Sequence, residues 1–303
     1  MYQMKEAILC KYGEVILKGT NKKTFENQLM NEVRRRAALV GNYTVRYNQS
    51  TVYVEPNDEE AEDMLDVMYA QIGKVFGFAG ICRVVRGMRR FTVGAIGART
   101  TAFKTVRADE IAFQKMGVTV ESINMSRVFA EMDKLTEAEI ADKKALYASL
   151  SDFGTYPPEK LENIARLGVV IDRLIEEYSL DAIAIRCWDE LQKRYGIAPC
   201  LILGELNERG IAAACELDVT NAVMMRAVGL AANYPVMLLD VNNNYENDPD
   251  KVIFFHCGPA PASLMRGRGE IREHLMFRKS YGEGSGVGIN HGRYIADDVT
   301  IGS

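Results

Sequence analysis

Ile211-Ala-Ala-Ala-Cys-Glu216 is followed, one structural unit later, by Pro235-Val-Met-Leu-Leu-Asp240 and then by Lys251-Val-Ile-Phe-Phe-His256. Each is a short apolar run that reads as a buried strand, and each ends on a polar residue able to bind a divalent metal. Between the first two, residues 218–232 place Val219, Val223, Ala227, Leu230 and Ala231 on one helical face, with Asp218 or Thr220 as the N-cap. That is a strand-helix-strand unit. Ligands collect beyond the carboxyl ends of the strands in open α/β sheets, so Glu216 and Asp240 are expected to face one crevice.

Two carboxylates and an imidazole, Glu216, Asp240 and His256, suit Mn²⁺ or another divalent ion of similar hardness. A structural zinc would be expected to recruit thiolates. The same carboxylates can move a proton. Taken singly, the three residues have plainer readings as a helix cap, a surface turn residue and a core histidine; their recurrence at successive strand ends favours a site.

The chain has 303 residues, enough for two or three compact units with real cores. Its net charge of −4 argues against a general nucleic-acid coat, while leaving room for a local basic patch. Six cysteines, Cys10, Cys82, Cys187, Cys200, Cys215 and Cys257, are scattered through apolar runs without a C-x-x-C pair, which reads as reduced core residues of a cytoplasmic protein. No apolar run approaches the roughly 20 residues of a membrane span, and no signal-like segment opens the chain, so no membrane association is expected.

Residues 1–88 read as a closed βαββαβ order, the ferredoxin-like arrangement. A strand runs over residues 6–12, a helix over 24–38 with Phe25, Leu29, Val33 and Ala37 on one face, and a hairpin over 43–54 turns at Asn48-Gln-Ser50. A second helix carries Ala61, Met64, Leu65, Met68, Ile72 and Val75, and Phe78-Ala-Gly-Ile-Cys-Arg-Val-Val85 reads as the last strand. Lys18, Lys22, Lys23, Arg34, Arg35 and Arg36 suit phosphate contacts, since Lys and Arg supply most sequence-independent nucleic-acid affinity. The plainer reading is a solvated helix face balanced by Glu26 and Glu32.

Lys11-Tyr-Gly-Glu-Val-Ile-Leu-Lys-Gly19, Asn21 and Phe25-Glu26 resemble the opening of the tRNA 4-thiouridine synthetases, a family of tRNA sulfurtransferases. The resemblance implies a small ferredoxin-like domain that helps to hold tRNA. It ends near Val85. The family's Ser-Gly-Gly-x-Asp-Ser ATP-binding loop is absent from the sequence, so sulfur-transfer catalysis is not carried over.

From Arg89 the pattern changes to alternating strands and helices. Strands are expected over 91–96, 118–123 and 181–187, a helix over 104–116, a helical region to about Leu150, and a long amphipathic helix through Leu161, Ile164, Gly168, Ile171, Ile175 and Tyr178. The pair Gly94 and Gly97 lacks the full dinucleotide fingerprint and reads as tight packing rather than a phosphate loop.

Ala182-Ile-Ala-Ile-Arg-Cys-Trp188, Glu190-Leu-Gln-Lys-Arg-Tyr-Gly196, Leu206-Asn-Glu-Arg-Gly210, Ala214-Cys-Glu-Leu-Asp218 and Phe255-His-Cys-Gly258 resemble the L-fucose isomerase-like proteins, relatives of L-fucose and L-arabinose isomerases. This implies a Rossmann-like α/β domain over 89–235 and the start of a C-terminal isomerase domain over 236–303. It also implies a homo-oligomer, manganese or another divalent metal, and an open-chain monosaccharide substrate. Glu216 and Asp240 match the family's carboxylates, which serve as ligands and as the acid/base pair, and His256 matches a metal-binding histidine by spacing. The portion that completes the family's cavity lies beyond Ile301, with His291 a substitute ligand and residues 281–292 expected as a mobile loop. The function expected from the whole is a metal-dependent aldose–ketose isomerase; the alternative is a tRNA-binding module without sulfurtransferase catalysis.

Overall fold

The computed structural model of the chain describes residues 7–11, 22–48 and 51–297. It divides into two compact units, Met1–Arg86 and Gly87–Ser303.

The first unit runs β1 (Ile8–Lys11), α1 (Lys22–Val40), β2 (Tyr43–Asn48), β3 (Thr51–Pro56), α2 (Glu59–Asp63) and α3 (Leu65–Gly87). Its antiparallel sheet has the order β1-β3-β2, with Ile8 opposite Val54 and Asn48 opposite Thr51. Leu29, Val33 and Ala37, spaced one helical turn apart on α1, close over Val52 and Val54 of β3 and over Met68, Ile72 and Val75 of α3. Residues 12–21, with Lys18 and most of the sulfurtransferase-like motif, lie outside the described residues, as do Gln49 and Ser50 of the expected turn.

The strand expected over 78–85 is instead the last part of α3. Phe78, Ile81, Cys82 and Val85 stand at i, i+3, i+4 and i+7, a helical period that a short apolar run conceals. Phe78, Ile81 and Val85 are exposed, so no core position pulls the segment into the sheet. The ferredoxin-like order therefore holds up to, but not including, its last strand.

The second unit opens with β4 (Phe91–Ile96), α4 (Glu110–Lys115), β5 (Val118–Ile123), α5 (Met125–Met132), α6 (Glu137–Leu150), β6 (Ser151–Asp152), α7 (Pro158–Tyr178) and β7 (Ala182–Ile185). It continues with α8 (Glu190–Tyr195), α9 (Cys200–Glu208), β8 (Ala212–Ala214), α10 (Val219–Ala232), β9 (Asp240–Asn244), β10 (Val252–Phe255), β11 (Gly269–Glu273), α11 (Leu275–Tyr281) and β12 (Val287–His291). Four strands form a parallel sheet in the order β5-β4-β7-β8. The chain leaves β4 in one direction for β5 and then crosses to β7 and β8 on the other side. That reversal puts a topological switch point between β4 and β7.

The alternation within β7 explains both covers of the sheet. Ile183 and Ile185 point into a core shared with Ile164, Leu167 and Ile171 of α7 and with Leu203 and Leu206 of α9. Ala182 and Ala184 point the other way, where their small side chains sit in a core with Val219, Ala222 and Met225 of α10. Both faces are dry, as an all-parallel sheet requires. Gly94 packs against Leu180, whose Cδ1 stands 2.5 Å from where a Cβ would be, so the close-packing reading of this glycine holds.

Three departures bear on the site. No strand spans residues 235–239: Pro235 cannot donate to a ladder, Val236 and Leu238 pack against the α10-side core instead, and β9 begins only at Asp240. The run over 251–256 is a strand, but it pairs antiparallel with β9 in a separate two-stranded sheet, with Val252, Ile253 and Phe255 exposed. The stretch expected as a mobile loop over 281–292 contains the end of α11 and β12, which pairs with β11 and bridges Ile197 through Val287. Gly288, at φ +145°, allows this approach, since a Cβ there would lie 2.1 Å from the Ala198 carbonyl oxygen.

Candidate active site

The chain leaves the carboxyl end of β8 through Cys215, Glu216 and Leu217, and the last two hold left-handed backbone conformations at φ +56° and +61°. Two successive non-glycine residues in that region store strain, which surrounding bonds must outweigh. Leu217 N donates to Ile185 O at 3.0 Å, Asp218 N to Cys215 O at 2.9 Å, and Glu216 N to the Cys187 sulfur at 3.4 Å. Asp218 then caps α10, accepting from Asn221 N at 3.0 Å and Asn221 Nδ2 at 2.6 Å. The aspartate of the Cys-Glu-x-Asp motif thus anchors the turn that presents the glutamate. Asp218→Ala should cost about 1–2 kcal/mol of stability through loss of the cap, read as a lower urea midpoint at unchanged m-value.

The segment after β10 brings His256 and Cys257 to the same corner. His256 Nε2 lies 3.2 Å from Cys215 Sγ and 3.8 Å from Glu216 Oε2, and Cys215 donates to Glu216 Oε2 at 3.2 Å. Cys257 N donates to His256 Nδ1 at 2.9 Å, which leaves the ring proton of the neutral imidazole on Nε2, the nitrogen facing the glutamate. The His256 side chain is 4% exposed and that of Glu216 16%, so the pair is largely withdrawn from water. Behind them, Cys200 Sγ approaches Cys257 Sγ at 3.8 Å. A hydrogen bond from Cys200 holds the Cys257 thiol well below the usual thiol range and, with burial, pushes the Cys200 thiol up, while the neighbouring Cys187 sulfur and burial push Cys215 up. Trp188 stands edge-on to Phe103 and to Phe277, and it packs with Cys257 in one apolar cluster.

Two of the three residues expected here, Glu216 and His256, come together. Asp240 is exposed at the first position of β9 and stands opposite Phe255, one residue out of register with His256; it is outside the ligand-bearing group of Cys215, Glu216, His256 and Cys257. His291 is exposed at the end of β12 and is also outside it.

Comparison with known proteins finds relatives of two kinds. Residues 7–82 match the ThiI ferredoxin-like domain. Over 191 residues the chain is 26% identical to the sulfoquinovose isomerase of Priestia megaterium, covering 61% of this chain and 42% of that protein. The corresponding figures for the sulfoquinovose isomerase of Clostridium sp. (strain MSTE9) are 29% over 205 residues, with 65% and 44% covered. A probable tRNA sulfurtransferase of Acetivibrio thermocellus is 35% identical over 81 residues, 27% of this chain and 20% of that protein. The chain spans less than half the length of the isomerases it matches. A ThiI-type ferredoxin-like domain and a region similar to sugar isomerases therefore occur in one polypeptide.

In the first unit, Lys22 opens α1, and Lys23 and Arg34 are exposed. Arg35 and Arg36 both bind Glu32, at 2.8 and 2.9 Å, and Arg36 also donates to Gln71 at 3.0 Å. Two of the five described basic residues of this cluster, Arg35 and Arg36, are thus committed to neighbours. The residues that sequence reasoning missed are the thiols. Cys215 and Cys257 flank Glu216 and His256 directly in the chain, and that adjacency was their signal.

Proposed function

We propose that the second unit interconverts an aldose and a ketose in open-chain form, and that Glu216 carries the transferred proton. The observation that supports this most is the pairing of Glu216 with His256 at the carboxyl edge of the parallel sheet, in a chain similar to sulfoquinovose isomerases. The Glu216 carboxylate removes the proton from C2 of the aldose and returns it to C1. His256 Nε2–H donates to the oxygen that becomes negative as the enediol forms, a stabilisation strengthened by exclusion of water. Asp240, next to His256 across the β9–β10 ladder, is the second carboxylate for moving a proton between the oxygens. Aromatic side chains around Trp188 give an apolar wall of the kind that excludes water from such a corner.

The manganese expectation fits this corner poorly. Mn²⁺ prefers carboxylate, carbonyl and water oxygens, whereas the group here contains two thiols and lacks Asp240. No step of the reaction is assigned to that ion.

Sulfoquinovose, L-fucose and D-arabinose are the substrates to test, in deuterated water, with NMR reading ketose formation and deuterium uptake. Enzymatic interconversion leaves solvent deuterium on the carbon that is reprotonated. The absence of both ketose and exchange, in a folded protein, sinks the proposal.

A second reading applies to the first unit alone, and the ThiI-domain match favours it. With Arg35 and Arg36 bound to Glu32, Lys23 and Arg34 are the exposed phosphate-binding side chains of α1 in this reading. Changing both to Gln should lower the slope of log K against log salt for tRNA by about 0.7–0.9 for each phosphate no longer neutralised. An unaltered slope in filter binding removes α1 from any RNA interface.

A further inference from the structure

The second unit brings three buried cysteines and one half-buried cysteine to one corner, and the proton chemistry proposed above uses none of them. Cys187, Cys200, Cys215 and Cys257 come from four different places in the chain, the ends of β7 and β8, the start of α9 and the segment after β10. Two of them stand with His256 and Glu216 as one group whose ligand atoms all lie within 4.8 Å of one another. We infer that Cys215, Glu216, His256 and Cys257 form a binding site for a thiophilic divalent cation of the zinc type.

Three of the six ligand spacings approach those of a tetrahedral shell, and the three to Cys257 lie within 4.8 Å. With Zn–S near 2.3 Å and Zn–N or Zn–O near 2.0–2.1 Å, the ligand atoms of such a shell stand about 3.3–3.8 Å apart. The edges here are 3.2 Å from Cys215 Sγ to His256 Nε2, 3.2 Å from Cys215 Sγ to Glu216 Oε2, and 3.8 Å from His256 Nε2 to Glu216 Oε2. Small outward shifts of side chains admit an ion between them.

Chemistry favours a soft ion over a hard one. Two sulfurs, one nitrogen and one carboxylate oxygen match zinc, whereas manganese and magnesium select oxygen. The surrounding bonds are those of a supported ligand set. Cys200 stands 3.8 Å behind the Cys257 sulfur, and Cys187 accepts from the Glu216 backbone at 3.4 Å. Such outer contacts orient ligands and tune the metal. The strained turn at Glu216 and Leu217, together with the left-handed Gly258 after Cys257, fixes both ligand pairs before any ion arrives. Uptake releases the Cys215 thiol proton, and the imidazole proton moves from Nε2 to Nδ1 in place of the contact from Cys257 N.

The consequence for activity rests on the isomerase reading; the site itself does not. Zinc bound in this way engages the carboxylate of Glu216, so it inhibits the interconversion.

Cobalt provides the direct probe, because Co²⁺ in a tetrahedral thiolate shell absorbs strongly through sulfur-to-metal charge transfer. Reduced, chelator-stripped full-length protein should take up one Co²⁺ with that absorption, exchange it for one Zn²⁺, and hold it against excess Mn²⁺. Cys215→Ser and Cys257→Ser should each weaken Zn²⁺ binding by at least about 100-fold, more than loss of an outer-shell partner costs, and should diminish the charge-transfer band. Cys82→Ser, at an exposed cysteine, should change neither. Circular dichroism of each variant separates loss of ligand from loss of fold. The inference is overturned if the wild-type protein gives no charge-transfer absorption, or if the band survives both ligand substitutions and disappears with Cys187→Ser or Cys200→Ser. All of these are read from the metal, so an inactive protein that still binds zinc ends the isomerase proposal alone.

Discussion

Glu216→Gln is expected to lower aldose–ketose turnover by about 10²- to 10⁴-fold, the range that a positioned general base contributes. The amide keeps the shape of the side chain and an acceptor for the Cys215 thiol, which donates to Glu216 Oε2 at 3.2 Å, so the turn should survive. What it loses is the ability to take a proton. The effect should therefore appear in kcat with little change in KM, since substrate binding does not depend on the missing basicity. Asp240→Asn discriminates further. Asp240 is exposed and outside the buried group, so a loss as large as that of Glu216→Gln would mean that substrate binding brings β9 inward. Full retention would leave Glu216 and His256 as the whole proton machinery. A Glu216→Gln protein that keeps near-parental turnover removes Glu216 from the chemistry altogether.

The parallel sheet was legible because its pattern is redundant. In Ala182-Ile-Ala-Ile185 every position is apolar, and both faces of the strand are covered, which is what such a run signifies. The helix over 219–232 was legible from its Asp218 cap, but its buried residues are Val219, Ala222 and Met225, whereas Ala231 of the expected face is exposed. Errors arose where one local signal stood alone. Pro235-Val-Met-Leu-Leu-Asp240 has strand composition, but a proline opens it and the neighbouring core takes up Val236 and Leu238 outside any sheet. Phe78 to Val85 suits a strand or a helix equally by composition, and continuity with Met68, Ile72 and Val75 decided for the helix. At the candidate site, Glu216 and His256 could be read from their places after apolar runs. The thiol grouping could not, because Cys187, Cys200, Cys215 and Cys257 are brought together only by crossovers of the sheet and by the β9–β10 hairpin. No spacing rule links residues that far apart in sequence.

Two helix glycines should answer the same substitution with opposite signs. In a helix interior, glycine is ordinarily about 1 kcal/mol less favourable than alanine, so Gly→Ala there should stabilise. Gly73 of α3 meets that condition: a Cβ added to it has nothing within 4 Å, and Gly73→Ala should raise the stability of the first unit by about 0.5–1 kcal/mol. Gly204 of α9 does not. A Cβ there would lie 2.3 Å from the carbonyl oxygen of Ala260 and 3.0 Å from its carbonyl carbon, and backbone cannot swing aside as a side-chain end can. Forcing that approach open should cost about 1–3 kcal/mol, enough to reverse the propensity gain. The displaced backbone is that of residues 258–261, which directly follow His256 and Cys257. Gly204→Ala should thus loosen the candidate site as well as the fold: its urea midpoint should fall, and any cobalt or zinc affinity of the folded protein should fall with it. Gly73→Ala should leave metal affinity unchanged. If Gly204→Ala proves as stabilising as Gly73→Ala, then α9 does not press on the Ala260 backbone, and the segment carrying His256 and Cys257 is not positioned by that helix.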